Sequence, residues 1–132
     1  MKNIKELNLL KEKIAQCGQK IYDEWFQNEE GYDEMVGSGG ICHLIADEIV
    51  NLLYEKDIEC TTISSDHEVH VYVVCKLEEG VFKIDIPYNF YETGGGYTWK
   101  KIKNVSFNED FVYIDQLSYD PSDFETEYCE IY

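Results

Sequence analysis

The hydrophobic pattern changes once within residues 42–87, CHLIADEIVNLLYEKDIECTTISSDHEVHVYVVCKLEEGVFKIDIP. Up to Glu55 the apolar side chains recur every three or four positions, which predicts a helix over 41–55. Beyond Lys56 the pattern is that of strands, bounded by turn residues such as Glu78-Glu79-Gly80. We expect strands over 58–64, 69–77 and 81–86. One helix followed by neighbouring strands predicts an antiparallel sheet rather than alternating βαβ units.

The N-terminal part of the chain is expected to add further helical structure. Residues 3–27 have apolar side chains at helical spacing, and Gly18 is expected to be a weak point or break in that helix. Residues 28–40 have the composition of a loop.

The C-terminal part is expected to contain a loop, a last strand and a tail. Pro87 ends strand pairing, and residues 88–99 form a Gly- and Tyr-rich loop. A final strand is expected over 111–117, followed by an acidic tail over 118–132. The fold class is therefore α+β, with N-terminal helices packed on an antiparallel sheet in a single domain, 1–132, whose core spans about 37–117.

The charge of the chain is strongly negative. Its 27 acidic residues outnumber 11 basic ones, all of them Lys, for a formal net charge of −16. Such a surface repels phosphate backbones, so nucleic acid is not an expected partner. It favours solubility, and it leaves a basic protein partner, or mimicry of nucleic acid, as alternatives.

Cysteine usage and the N-terminus point to a cytoplasmic protein. The five Cys are odd in number and contain no C-x-x-C pair, so neither a disulfide framework nor a zinc site is indicated. The N-terminus, MKNIKELNLLKEK, is too charged for a signal peptide, and no apolar run reaches the length of a membrane span. Export by another route stays open, and no membrane partner or cofactor is expected.

Cys42 is the candidate nucleophile. It opens the predicted helix after the sequence Ser38-Gly39-Gly40. A helix N-terminus carries unpaired N–H groups and a partial positive charge, which stabilise a thiolate. Gly40 permits close approach of a substrate and leaves backbone N–H groups available as oxyanion donors. The alternative is a buried structural cysteine in a helix.

His70 and Asp85 are the candidate base and its orienting carboxylate. A neutral imidazole at His70 can take a proton from Cys42 and later deliver it to a leaving group. Asp85 lies between Ile84 and Ile86, where a carboxylate needs a partner to offset desolvation. A tight turn at Glu79-Gly80 would place Asp85 opposite Val74, roughly 13 Å along the strand from His70. The pair therefore requires a turn shifted to near Leu77-Glu78, or a bulge.

These residues resemble the transglutaminase-like, or papain-like, cysteine hydrolases, in particular small bacterial or phage-type members. Gly40-Ile41-Cys42 and Ala46 resemble the start of the family's nucleophile helix, and residues 70–87 resemble its His strand, turn and Asp strand. The resemblance covers about residues 37–88. It implies a papain-like core and a Cys-His-Asp triad of Cys42, His70 and Asp85. The family's usual Trp two residues after the His is Tyr72 here, and Ile86 separates Asp85 from Pro87.

Other residues are candidates for a role in the same site. His67 is an alternative base in a loop expected to be solvated, and His43 points about 100° away from Cys42 on the helix. The three His and nearby acids lack H-E-x-x-H spacing, so no metal is expected. Gln19 or Trp25 is a candidate oxyanion donor.

Substrate-binding residues are expected beside the triad. They are Gly40, Tyr72, Tyr97 and Trp99. The last two belong to the Gly-rich loop that follows Asp85, which is expected to form a substrate wall or lid, or else an aromatic patch packed on the sheet.

Two classes of function follow. The first is a cysteine-dependent acyl-transfer enzyme of peptidase, amidase, deamidase or transglutaminase type, acting on a protein or peptide. The alternative is a catalytically inactive acidic binding or inhibitor protein, such as a nucleic-acid mimic or the partner of a basic protein.

Overall fold

The computed structural model describes residues 1–27, 41–65, 70–87, 90–93 and 99–121, with the backbone alone for 91–93 and 99–101. The predicted loop over 28–40, most of the Gly-rich loop and most of the acidic tail lie outside the described residues.

In the described part of the chain, three α-helices precede the sheet: α1 (Ile4–Asn8), α2 (Lys11–Gln27) and α3 (Cys42–Glu55). The expected break at Gly18 was wrong, because α2 runs through this residue and the chain is interrupted by a turn at positions 9 and 10 instead. Gly18 serves close packing: a Cβ atom there would lie 2.8 Å from the Phe107 ring and 2.9 Å from Ile86 Cδ1. Glycine is therefore needed at this position for space rather than for backbone freedom.

Within the described ranges, six strands follow these helices. They are β1 (Cys60–Ser65), β2 (His70–Leu77), β3 (Gly80–Asp85), β4 (Tyr91–Thr93), β5 (Trp99–Lys101) and β6 (Tyr113–Leu117). Strands β1, β2, β3 and β6 form an antiparallel sheet in that order. The expected α+β class and antiparallel sheet are confirmed. The expectation of a loop over 88–99 was partly wrong, since β4 and β5 pair as a two-stranded ribbon.

The core lies between the helices and one face of the four-stranded sheet. On α3 the buried positions Ile45, Ile49 and Leu53 recur every four residues and so form one stripe of the helix. Alternate residues of β2, including Val73 and Cys75, belong to the same buried cluster. The apolar side chains with helical spacing and those with strand spacing thus pack together in one core.

The β2–β3 hairpin has a two-residue turn at Glu78-Glu79, because Leu77 pairs with Gly80. Gly80 adopts φ +137°, a conformation that residues with a Cβ rarely adopt. The N-terminal segment holds this turn in place: Glu78 N–H donates to the Lys2 carbonyl at 2.9 Å and Ile4 N–H donates to Glu79 Oε1 at 2.9 Å.

The connection between β5 and β6 is fastened to α2 by polar side chains. Gln19 Nε2 donates to the Val105 carbonyl at 3.1 Å, and Gln19 Oε1 accepts from Phe107 N–H at 2.7 Å. The Tyr22 hydroxyl donates to the Ile102 carbonyl. A 3-10 helix, Glu109–Phe111, then leads into β6.

Candidate active site

Cys42 is the first residue of α3 and is 8% exposed. The N-cap position is Ile41, whose side chain makes no capping hydrogen bond, and no acidic residue occupies the first turn. Asn3 and Asn108, by contrast, cap their helices with a side-chain oxygen. The Ile41 side chain therefore does not occupy the amide N–H groups at the start of α3, whose partial positive charge lies beside the Cys42 thiol.

His70 and Asp85 form a hydrogen-bonded pair. His70 Nε2 lies 2.7 Å from Asp85 Oδ1, and the two side chains are 14% and 7% exposed. The pair joins the start of β2 to the end of β3. A buried carboxylate in an apolar strand requires such a partner to offset the cost of desolvation, and for this reason the pair was expected from the sequence.

The turn at Glu78-Glu79 makes this contact possible. The observed ladder pairs Val73 with Ile84, and the same register continued by one residue brings Asp85 opposite Tyr72. His70 is then a diagonal neighbour of Asp85, at a typical spacing of about 7–8 Å between backbones that a His and an Asp side chain can bridge. The turn is shifted by one residue from Glu79-Gly80, and this shift resolves the register problem that the sequence posed.

Asp85 and Cys42 together raise the pKa of His70. The pKa of His70 is raised from 6.5 to about 9, first by the hydrogen bond that it donates to Asp85 and then by a hydrogen bond with the Cys42 side chain, while burial acts in the opposite direction. Since Asp85 occupies Nε2, Nδ1 is the ring nitrogen left for Cys42. At neutral pH the imidazole is accordingly a cation next to the thiol, and such a charge favours the thiolate.

The other described thiols have a different environment. Burial raises the pKa of Cys17 to about 11, that of Cys60 to about 11 and that of Cys75 to about 12. Cys17 and Cys60 direct their thiols at backbone carbonyls of α3, those of Glu48 and Val50. These thiols stay protonated at neutral pH and are poor nucleophiles.

A narrow crevice lies beside the candidate triad. Cys42, His70 and Asp85 line it together with apolar side chains of α3 and of strands β2 and β3, and its volume is about 10 Å³. That volume is close to the minimum of roughly 10–15 Å³ that one water molecule requires. The crevice therefore has room for a water but not for a substrate side chain.

The apolar wall of this crevice was missed by the sequence analysis. It includes Ile45, Ile49, Val71 and Ile86. These residues carry the same helical and strand periodicity as the rest of the core, so no local signal distinguishes them. Only their position around the His70–Asp85 pair identifies them as part of the site.

The expected substrate-binding residues are described only in part. Tyr72 lines the crevice, and Lys83 Nζ lies 4.4 Å from the centroid of its ring. Gly40 and Tyr97 lie outside the described residues. Trp99 is the first residue of β5, where the structure gives the backbone alone.

The alternative residues take other positions. His67 lies outside the described residues, and His43 follows Cys42 on α3 with its Nδ1 atom buried. Gln19 was a wrong candidate for an oxyanion donor, since its amide is bound to Val105, Phe107 and Asp23. Trp25 is buried in the core, with its ring centroid 6.0 Å from that of Tyr22. Within the described ranges, no group of three His, Cys, Asp or Glu side chains is arranged to hold a metal ion.

Comparison of the chain with protein-family models, with curated proteins and with solved structures found no match. None of the helices in the described part of the chain combines the length and the apolar character that a membrane crossing needs.

Proposed function

We propose that this chain is a cysteine-dependent acyl-transfer enzyme in which Cys42 is the nucleophile, His70 the general acid and base, and Asp85 the group that orients His70. One observation carries the proposal: His70 is hydrogen-bonded to Asp85 at 2.7 Å and its pKa is also raised by the Cys42 side chain. A thiol, an imidazole and a carboxylate joined in this order match the logic of a catalytic triad.

We also propose that α3 and strands β1 to β3 form a transglutaminase-like core. The support is the order and placement of the three groups: Cys42 at the start of a helix, His70 at the start of a central strand and Asp85 at the end of the adjacent antiparallel strand. This is the arrangement that the resemblance of residues 37–88 implies.

The first half of the reaction acylates Cys42. The thiolate attacks the carbonyl carbon of an amide or thioester, and the electron pair of the C=O bond moves onto oxygen. Amide N–H groups at the start of α3 stabilise that oxyanion. When the tetrahedral intermediate collapses, the bond to the leaving group breaks and the His70 imidazolium donates its proton to the departing nitrogen or sulfur.

The second half releases the acyl group. The now neutral His70 takes a proton from water or from an amine as that acceptor attacks the acyl-Cys42 thioester. The Cys42–acyl bond breaks, and the thiolate and the imidazolium are restored. Water gives hydrolysis or deamidation, whereas an amine gives transfer.

The size of the crevice limits how a substrate can bind. Because the crevice beside Cys42 holds no more than a water molecule, a substrate lies across its mouth with the reacting carbonyl pointing inward. A protein or peptide substrate can make its other contacts on the surface outside the crevice, which is why we place the substrate in that class.

The pH dependence of Cys42 alkylation by iodoacetamide tests the proposal. An ordinary thiol with a pKa of about 8.5 reacts roughly 75-fold faster at pH 8 than at pH 6, because its thiolate fraction rises by that factor. For Cys42, paired with the His70 imidazolium, we expect a change of less than about fivefold. Cys17, Cys60 and Cys75, whose pKa values burial raises to about 11 or 12, should react far more slowly at both pH values, and site-resolved mass spectrometry reads all of them at once.

Two histidine variants make the test specific. H70A should restore the ordinary steep pH dependence at Cys42, while H43A, which changes the adjacent residue on α3, should not. If Cys42 in the wild-type protein behaves as an ordinary thiol and H70A changes nothing, the enzyme proposal is wrong. The non-catalytic acidic binding protein is then the better hypothesis.

A further inference from the structure

A second concave surface lies between α2 and the segment that precedes β6. We call it the acidic groove; its volume is about 530 Å³, within the roughly 300–1,000 Å³ typical of ligand-binding clefts. The residues that line it include the acidic Glu12, Glu109 and Asp110 and the apolar Ala15 and Phe107; we call the apolar pair its floor. It shares no lining residue with the crevice at Cys42.

The floor of the acidic groove is held firmly. The Phe107 ring stacks on Phe90 at 5.4 Å and lies 4.8 Å from Phe111, between ring centroids. On its other side the ring is in close contact with Gly18 of α2. An aromatic ring fixed on several sides presents a preformed surface, so a ligand does not have to order it.

The charge of the groove has no counterion within the described part of the chain. Glu12, Glu109 and Asp110 are exposed and take part in none of the ion pairs there, which involve Glu6, Glu48, Asp85 and Asp120. No Lys is among the described residues that line the groove. Three carboxylates around one concave surface repel one another, and a cation between them relieves that repulsion.

The spacing of these carboxylates favours an extended cation over a metal ion. In the part of the chain that the structure describes, no three acidic, His or Cys side chains come close enough together to hold a metal. A Lys or Arg side chain is longer. Its aliphatic stem can pack on Ala15 and Phe107 while its charged head reaches the carboxylates and the ring face.

We propose that the acidic groove is a docking surface for Lys or Arg side chains of a basic segment of a partner protein. The complementarity of charge and the aromatic floor select this occupant from among cations. Docking is separate from the chemistry proposed for Cys42, so a C42A protein retains it.

The test uses a fluorescein-labelled nonapeptide containing four arginines as the probe, with binding followed by fluorescence anisotropy at low salt. The groove variant E12Q/E109Q/D110N removes three charges without changing shape. The matched control D47N/E59Q/D115N removes the same number of charges from exposed positions outside the groove. We expect the dissociation constant to rise about tenfold in the groove variant and less than twofold in the control.

Three outcomes would overturn the proposal. The first is equal weakening of binding in both variants, which would show attraction by net charge alone, and the second is no binding to the wild-type protein. The third is displacement of the probe by millimolar Mg²⁺ or Ca²⁺ from the wild type only, which would show a metal site. Unchanged binding by C42A, together with the selective loss in the groove variant, would support it. Binding of the probe by C42A is compared directly with binding by the wild-type protein, so failure of the docking proposal and failure of the enzyme proposal are distinguishable.

Discussion

At the scale of single residues, His70 is the centre of the candidate site because two groups stabilise its charged form. The hydrogen bond to Asp85 is the larger cause of its raised pKa and the contact with Cys42 is the second. Burial alone would lower the pKa of an imidazole. The value of about 9 therefore depends on the partners of His70 and is sensitive to their removal.

We predict that D85N lowers the pKa of His70 by at least one unit. Asn keeps the shape of the side chain but removes both the negative charge and the charge-assisted hydrogen bond that favour the imidazolium. The imidazole C2 proton, followed by NMR from pH 5 to 10, should titrate near 9 in the wild-type protein and well below that in D85N.

The control is the backbone amide spectrum, which D85N should leave unchanged away from β2 and β3 if the fold is retained. A His70 resonance that titrates near 6.5 in the wild-type protein would contradict the charged pair. So would a titration that D85N leaves unchanged.

At the scale of secondary-structure elements, the β2–β3 turn decides whether the site exists. A turn at Glu79-Gly80 would pair Asp85 with Val74 and so move it two positions further along β2 from His70. Contacts from two other parts of the chain hold the turn: those from Lys2 and Ile4 of the N-terminal segment, and the donation from Gln116 Nε2 of β6 to the Glu79 carbonyl at 2.8 Å. Strand register is thus fixed by groups distant in sequence.

Helix α2 gives an element-scale prediction, because Gly18 is buried against Phe107 and Ile86. In an exposed helix, Gly→Ala would stabilise by about 1 kcal/mol. In G18A the new methyl group meets ring atoms at 2.8 Å and 2.9 Å that the aromatic cluster holds in place. Overpacking of this kind costs roughly 1–3 kcal/mol. We therefore expect a net loss of about 1 kcal/mol in the free energy of unfolding, measured by urea denaturation.

The control for G18A is K13A, at an exposed position of the same helix, which should change stability by less than about 0.5 kcal/mol. A G18A protein more stable than the wild type would show that Phe107 or Ile86 moves freely. In that case the floor of the acidic groove would not be preformed.

At the scale of the whole molecule, the net charge of −16 acts against the folded state. Folding brings the carboxylates together, while the described part of the chain pairs only a few of them, such as Glu6 with Lys2 and Glu48 with Lys20. Self-repulsion of this kind is long-ranged at low salt and is screened as the Debye length falls from about 30 Å at 0.01 M to 8 Å at 0.15 M.

We predict that the melting temperature rises by roughly 3–6 °C between 10 and 200 mM NaCl, which corresponds to about 1 kcal/mol of relieved repulsion. Differential scanning calorimetry measures this shift. KCl should give the same increase as NaCl, because screening depends on ionic strength and not on the cation. A melting temperature that falls with salt would mean that attractive ion pairs outweigh the repulsion.

Much of the fold could be predicted from local pattern. The helical stripe of Ile45, Ile49 and Leu53 and the strand around Val73 follow from the period of the apolar residues, and their observed bounds lie within about two residues of the expected ones. The break expected at Gly18 was wrong because helix propensity is a local property, whereas the need for glycine there comes from Phe107, which lies far away in sequence.

By itself, the sequence determined the α+β class, the antiparallel sheet and the choice of Cys42, His70 and Asp85, since periodicity and residue chemistry are local. Only the tertiary structure decided the rest. The turn register brings Asp85 Oδ1 to 2.7 Å from His70 Nε2, and the packing of α2 on the segment before β6 creates the acidic groove. The physical reason is the same for both: a hydrophobic pattern shows which side of an element is buried, but not which distant segment covers it.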